Sequence, residues 1–386
     1  MSYRSIINAR LRALEKNFTT YNNIYISRSA VLHNFDMFTE LSPGGHVIPV
    51  LKANAYGHGL EQIANILKER SLPYLAVDGY FEALRIYEVS KQPVLVMGAI
   101  HPNNFTKMNW KSCAFVVYDE QTLEALAATG TTVRIHVEID TGMSRHGVRP
   151  SDLSSFLELL KSHPKIEVEG IMTHLADADN PLSTEHMTEQ VAKFDAAVDK
   201  IRSEGFSPKY VHIAQSAGSA KVHSKTANTL RVGIALYGIT PLASDDRFAV
   251  KLAQLQPALT LTSTVAKVIE IGAGDAVGYG CTFVAKRPSR IGVLPLGYYE
   301  GLPRQLSNVG TVKHKDKYLP ITGRVCMNHT MVDITDTDVS LGDVVTVISS
   351  NKADENSIDQ IARRYDIFNY GLLVGLNQTV RRSVVE

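Results

Sequence analysis

Cysteine is scarce: Cys113, Cys281 and Cys326 are the only three in 386 residues, and they lie far apart. That excludes a disulfide framework and a zinc ribbon, and it points to a reducing, cytoplasmic setting. An excess of one charge is also missing. Forty basic residues balance 39 acidic ones, so no net field favours nucleic acid or a membrane surface as partner. No apolar stretch reaches the roughly 20 residues needed to span a bilayer, no secretory signal is legible, and there is no internal repeat or low-complexity tract. These absences leave small molecules as the expected partners of a chain long enough for two domains.

The first twenty residues are unusual. Arg4, Arg10, Arg12 and Lys16 outnumber the single acid Glu15, and Ile7, Leu11, Leu14 and Phe18 recur at helical spacing. An amphipathic arm over residues 1–21, packed on the protein or on a second subunit, is expected. A transit peptide is the alternative.

From about residue 45 to 240, short β-branched runs alternate with amphipathic helical ones. Strands are expected at Val47 to Leu51, Tyr74 to Val77, Val94 to Met97, Ala114 to Val117, Val133 to Ile139, Val168 to Met172, Tyr210 to Ala214 and Leu230 to Ala235. Eight alternations over about 200 residues point to an α/β fold, an N-terminal (β/α)8 TIM-like barrel across 22–244. An open doubly wound sheet is the alternative. After Pro241 helices become rare and short strands with glycine turns take over, among them one from Leu259 to Ile271, which predicts a C-terminal β-rich domain over 245–386.

The segment Val50-Leu51-Lys52-Ala53-Asn54-Ala55-Tyr56-Gly57-His58-Gly59 delivers a lysine to the end of an apolar strand and follows it with a glycine-rich turn and a helix from Leu60. Ligands of α/β folds gather at such strand ends, and helix starts attract phosphate. A neutral lysine is a nucleophile for aldehydes, although a lone strand-end lysine more often merely snorkels, and the rest of the chain has to overturn that reading. Other strand ends carry matching features: Asp140 to Gly147 with Arg145, then Thr173-His174, the small-residue turn Gln215-Ser216-Ala217-Gly218, and Arg231-Val232-Gly233-Ile234. In a barrel these fall on one face. The β domain adds Gly278-Tyr279-Gly280, Gly297-Tyr298 and Cys326-Met327-Asn328. No histidine or cysteine partner stands at ligand spacing from Cys326, so no metal is expected.

In order and spacing, Lys52 to Gly59, Asp140 to Gly147, Gln215-Ser216-Ala217, Arg231 to Ile234, Tyr279-Gly280, Gly297-Tyr298, Cys326-Met327 and Asn369-Tyr370 resemble the alanine racemases, enzymes dependent on pyridoxal phosphate (PLP). The resemblance runs from about residue 22 to 382. It implies that Lys52 holds PLP covalently and is one acid/base group, with Tyr279, from the second subunit of a homodimer, as the other. It implies a phosphate cup of Tyr56, Ser216, Gly233, Ile234 and Tyr370, with Arg231 facing the pyridine nitrogen and His174 supporting Arg231 and the tyrosine. Arg145 would lie near the cofactor's phenolic oxygen and the substrate, Met327 would meet the substrate carboxylate, and Tyr298 would gate the entrance. The implied activity is interconversion of L- and D-alanine for peptidoglycan, by two bases on opposite faces of Cα.

Three positions depart from the family's commonest pattern. Glu138 stands where many members have a lysine, often carbamylated, and is expected to hold Arg145 without carbon dioxide. Gln215 replaces an asparagine and Asn328 an aspartate, both beside Cys326 or the cofactor turn. These leave open a broader racemase acting on serine or lysine. A PLP decarboxylase of the same fold type and a non-catalytic PLP-binding barrel are the contrasting readings.

Overall fold

The structure is a computed structural model that describes residues 18–182 and 184–386. The expected arm at 1–21 lies almost wholly outside the described residues. Two compact units form: one is Ile26–Leu259 with Val384–Glu386, and the other joins the described residues before Ile26 to Thr260–Ser383.

The chain enters the first unit through strand β1 (Asn22–Ser27), where Ser27 caps the helix Arg28–Leu41 by accepting from the Ala30 N–H at 3.1 Å. Sequence reading had not anticipated this helix. It buries Ala30, Val31, Phe35 and Phe38, and its fully buried Asn34 donates to the carbonyls of Leu236 (3.0 Å) and Gln256 (2.9 Å).

Eight parallel strands follow: β2 (His46–Pro49), β3 (Leu75–Val77), β4 (Val94–Val96), β5 (Cys113–Val117), β6 (Val133–Glu138), β7 (Ile166–Met172), β8 (Tyr210–His212) and β9 (Thr229–Val232). Their order is β2-β9-β8-β7-β6-β5-β4-β3. A bridge between Val50 and Ala76, with Leu51 N–H on the Ala76 carbonyl at 2.7 Å, joins the two ends and closes the barrel. β3, β4 and β5 are continuous apolar runs, as expected of parallel strands covered on both faces. Ile48, Val50, Tyr74, Ala76, Leu95, Ala114, Val116, Met172 and Tyr210 fill the interior.

The outer helices are Leu60–Leu67, Tyr80–Tyr87, Glu120–Ala127, Leu153–Lys161 and Glu185–Ser203. Two crossovers are reduced: β4 reaches β5 through a 3-10 turn opened by Pro102, and β8 reaches β9 through the four-residue helix Gly218–Lys221. The strand expected over Leu230 to Ala235 stops at Val232, because Gly233 (φ −99°, ψ −105°) turns the chain into a 3-10 turn at Ile234–Tyr237.

The second unit holds a six-stranded sheet, a three-stranded sheet and a two-stranded ribbon, so the C-terminal part is β-rich. The single strand expected from Leu259 to Ile271 is two, β10 (Leu259–Thr264) and β11 (Lys267–Ile271), which belong to different sheets. The break falls where Val265 N–H turns to the Asp343 carbonyl and Ala266 N–H to that of Val293, each at 2.9 Å. A helix at Ile358–Tyr365 is capped by Ser357, and a shorter one spans Asn369–Val374.

Candidate active site

Lys52 lies just past the C-terminal end of β2, and the backbone after it is strained. Ala53, Asn54, Ala55 and Tyr56 all have φ between 50° and 55°, a left-handed turn of four non-glycine residues. Each such residue costs about 1–2 kcal/mol, and strain of this kind persists only where the surroundings impose it. Glu82 Oε1 accepts from the Ala53 N–H at 2.8 Å, and Asn54 Oδ1 accepts from the Leu60 N–H at 3.0 Å. The His58 ring stacks on the buried Tyr237, 4.4 Å between centroids. Sequence reading placed a turn here; the left-handed form escaped it because only Gly57 and Gly59 advertise positive φ.

Around this lysine the barrel gathers charge. His174 follows β7, and burial together with the positive charges of Arg231, Arg145, Lys52 and His146 pushes its imidazole down to about 3. Arg231, on β9, is 2% exposed. Its Nη1 donates to His212 Nδ1 and to the His212 carbonyl, both at 2.8 Å, and its Nη2 to the Thr173 carbonyl at 2.7 Å and toward His174 Nδ1 at 3.3 Å. Burial brings this guanidinium down to about 10, so it stays charged at neutral pH. Gln190, fully buried, stitches the loops after β6 and β7: it donates to Thr141 Oγ1 at 3.2 Å and to the His174 carbonyl at 3.1 Å, and accepts from the Ala176 N–H at 2.9 Å.

The turn after β8 and the start of the 3-10 turn meet through Ser216, whose Oγ accepts from the N–H groups of Gly233 (3.1 Å) and Ala235 (3.3 Å). A side chain at Gly233 would displace the Tyr56 hydroxyl, since a Cβ there would lie 2.5 Å from it. Tyr56, Ser216, Gly233 and Ile234 are therefore brought together. Gln215 folds back to accept from the Gly218 N–H at 2.8 Å, which absorbs its longer side chain locally.

One expectation is overturned. Glu138, at the end of β6, does not hold Arg145: its Oε2 pairs with His146 Nδ1 at 2.7 Å, while Arg145 is exposed. The loop geometry is the reason. Asp140 Oδ1 accepts from Gly142 N–H (3.1 Å) and Ser144 N–H (3.0 Å), and Val148 N–H returns to the Glu138 carbonyl at 2.8 Å, so the tight turn directs His146 back to the strand end.

In the second unit, Tyr279 is 70% exposed on a 3-10 turn between Gly278 and Gly280, both at φ 74°. Its flanking glycines are conformational requirements, and a Cβ at Gly280 would press on the Arg324 guanidinium at 3.0 Å. Tyr298 and Met327 are exposed on paired loops: Tyr298 N–H meets the Cys326 carbonyl at 3.0 Å and Tyr299 N–H that of Met327 at 2.9 Å. Gly297 permits this approach, because its Cβ would sit 2.2 Å from the Cys326 carbonyl oxygen. Asn328 donates to Glu300 Oε1 at 2.8 Å, and Tyr370 stacks on Phe368, 5.1 Å between ring centroids. Among the described residues no group of three or more His, Cys, Asp or Glu is placed to hold a metal, and no helix is long and apolar enough to cross a membrane.

Fold and site together define a class: a closed β/α barrel presenting a lysine and two arginines at its strand ends, joined to a β-rich unit that exposes a glycine-flanked tyrosine. Two family profiles match, "Alanine racemase, N-terminal domain" over residues 26–241 and "Alanine racemase, C-terminal domain" over 258–384. The chain belongs to the alanine racemase family. An alanine racemase of Halothermothrix orenii is 33% identical, covering 96% of this chain and 98% of its own, and one of Methanococcus maripaludis is 33% identical over 92% and 96%. The crystal structure of the Bacillus anthracis alanine racemase with bound L-Ala-P superposes with a TM-score of 0.87 at 29% identity, covering 96% of each chain.

Sequence reasoning missed His136, His146, His212 and Glu300. A histidine inside a strand was the available signal for the first and third; the other two are placed by how tight loops turn, which their spacing does not show.

Proposed function

We propose that this protein is a PLP-dependent alanine racemase, an isomerase that interconverts L- and D-alanine, works as a cytoplasmic homodimer with shared active sites, and supplies D-alanine for peptidoglycan. The observation that carries this reading is the convergence of Lys52, Arg145 and Arg231 on His174 at one end of the barrel. Glu138 is the carboxylate that faces this cluster, and three cations against it suit an anionic ligand.

The residues fit PLP. Lys52 would bind it covalently. Tyr56, Ser216, the bare backbone at Gly233 and Ile234, and Tyr370 would receive its phosphate. Arg145 would serve its phenolic edge and the substrate. Bound there, PLP would withdraw electrons from the substrate's Cα and make its proton labile. Lys52 Nζ takes or returns that proton on one face, and Tyr279 Oη does so on the other. Arg231 cannot give up its proton, so it would meet the ring nitrogen as a donor only. Met327 N–H orients the substrate carboxylate, Tyr298 controls entry, and His174, neutral at working pH, supports Arg231.

Exposure of Tyr279 on a unit other than that of Lys52 supports a site completed by a second copy, and it favours a racemase over a decarboxylase or a PLP carrier. Gln215 is held in its own turn, so this departure from the family pattern does not argue against alanine. Tyr279→Phe is expected to abolish racemisation of L-alanine while the cofactor's visible absorbance is kept; retained turnover refutes the two-base assignment. A chiral assay against a panel of L-amino acids tests the substrate.

A further inference from the structure

The barrel core contains a histidine that the proposed reaction does not use. His136 points into the interior from β6, fully buried among Tyr74, Tyr210 and His212. Two features of the fold exist to admit it. The β6–β7 register slips between Ile135 and His136, and the facing residue is Gly170, where a Cβ would lie 2.3 Å from His136 Nδ1.

His136 Nδ1 lies 2.7 Å from His212 Nε2, and His212 Nδ1 lies 2.8 Å from Arg231 Nη1. The protons along this chain are fixed by its arginine end. A guanidinium only donates, so His212 Nδ1 must accept and its proton resides on Nε2. That N–H then donates to His136 Nδ1, which places the second proton on His136 Nε2. Burial and the charge of Arg231 keep both rings neutral, His136 pushed down to about 3 and His212 well below its ordinary value. His136 Nε2 is itself buried with no protein partner. A group left unsatisfied in this way persists when its other end is needed.

The effect reaches the site through Arg231. Its two Nη groups are committed to His212, the Thr173 carbonyl and His174, so Nε–H is the guanidinium donor that remains. We propose that His136 is a positioning residue: by accepting from the Nε2–H that Arg231 imposes on His212 it anchors that ring at its far end, and so fixes the plane of Arg231 and the direction of its remaining donor. This rests on the reading of Arg231 as the partner of the cofactor's ring nitrogen.

Neutron diffraction from deuterated crystals of the holoenzyme tests the chain directly. The expected map carries a deuteron on Nε2 of both His136 and His212; a deuteron on His212 Nδ1 overturns the proposal. Two variants test its consequence. His136→Asn keeps an acceptor at the position of Nδ1, whereas His136→Phe keeps ring volume without one. The Phe variant is expected to lose about tenfold in kcat with KM for L-alanine unchanged, and the Asn variant to retain most of it. Equal losses in both, or none in either, overturn the proposal, and should the Phe variant fail to fold, the neutron map decides. A wild-type protein that does not racemise L-alanine would refute the functional reading instead, and would leave the tautomers measurable.

Discussion

Glu138 is paired with His146 at 2.7 Å, one residue away from the arginine it was expected to hold. The carboxylate therefore acts on Arg145 through the fold of its loop: anchoring His146 fixes the peptide that precedes it, and the aromatic face of Tyr118 lies 4.9 Å from the same imidazole. Since this support is built from side chains alone, it needs no carbon dioxide. Racemase activity at fixed pH and ionic strength is expected to be unchanged by added bicarbonate. A clear gain would mean that another group is being carbamylated.

Glu138 also carries a cost. Its side chain is 4% exposed, and burial raises its carboxyl above the ordinary range despite His146, Arg231 and Arg145 pulling it down. Between the ordinary carboxyl value and the raised one, the folded chain binds a proton that the unfolded chain does not, so stability falls as pH rises through that window. At neutral pH the ionised carboxylate is a net burden. Glu138→Gln, which still offers an oxygen to His146, is expected to leave the melting temperature unchanged or higher while kcat/KM falls about tenfold or more. A marked drop in melting temperature with activity intact would contradict this.

The buried imidazoles have the opposite sign. His136 and His174 are pushed down to about 3 and His212 well below its ordinary value. Below about pH 6.5 the unfolded chain takes up protons that the native one refuses, so their contribution is full above that pH and is lost as pH falls toward 3. Three such groups predict a slope approaching roughly 4 kcal/mol per pH unit within the window. Denaturant unfolding at a series of pH values measures it, and His136→Phe is expected to remove about one proton from the uptake. A slope unaffected by that variant would show that His136 is already charged.

Most of the barrel was legible, because parallel strands buried on both faces leave continuous runs such as Val94–Val96 and Cys113–Val117. Lys52 was singled out for a related reason, a polar residue directly after such a run marking a strand end, whereas Arg231 lies inside β9 and was singled out by the turn that follows it. Three kinds of feature were hidden. The strand after Leu230 overran because Val232-Gly233-Ile234 keeps an apolar texture through a turn set by backbone angles. The helix Arg28–Leu41 was not anticipated; its buried Asn34 interrupts the apolar stripe to reach carbonyls more than 200 positions away. The partner of Glu138 depended on which way a tight loop turns, and spacing does not encode that.

Asn328 tests how substrate preference is set. Its Nδ2 donates to Glu300 Oε1 at 2.8 Å, and the other carboxylate oxygen of Glu300 accepts from the Gly297 N–H at 2.7 Å. One carboxylate thus ties the loop bearing Tyr298 to the loop bearing Met327. Asn328→Asp replaces the donor with a second carboxylate at hydrogen-bonding distance, and like charges so close repel. The loops should part, and on the proposed role of Met327 N–H in holding the substrate carboxylate KM for L-alanine is expected to rise about tenfold with a smaller change in kcat. Adding Glu300→Gln to Asn328→Asp restores a donor and an acceptor in exchanged positions, since the glutamine amide donates to the new aspartate while its oxygen still accepts from Gly297. The double variant is therefore expected to recover most of the lost affinity, whereas Glu300→Gln alone, with Asn328 able to turn its own oxygen toward the glutamine, should cost little. If the double variant is as impaired as Asn328→Asp, the contact between the two loops does not control substrate binding.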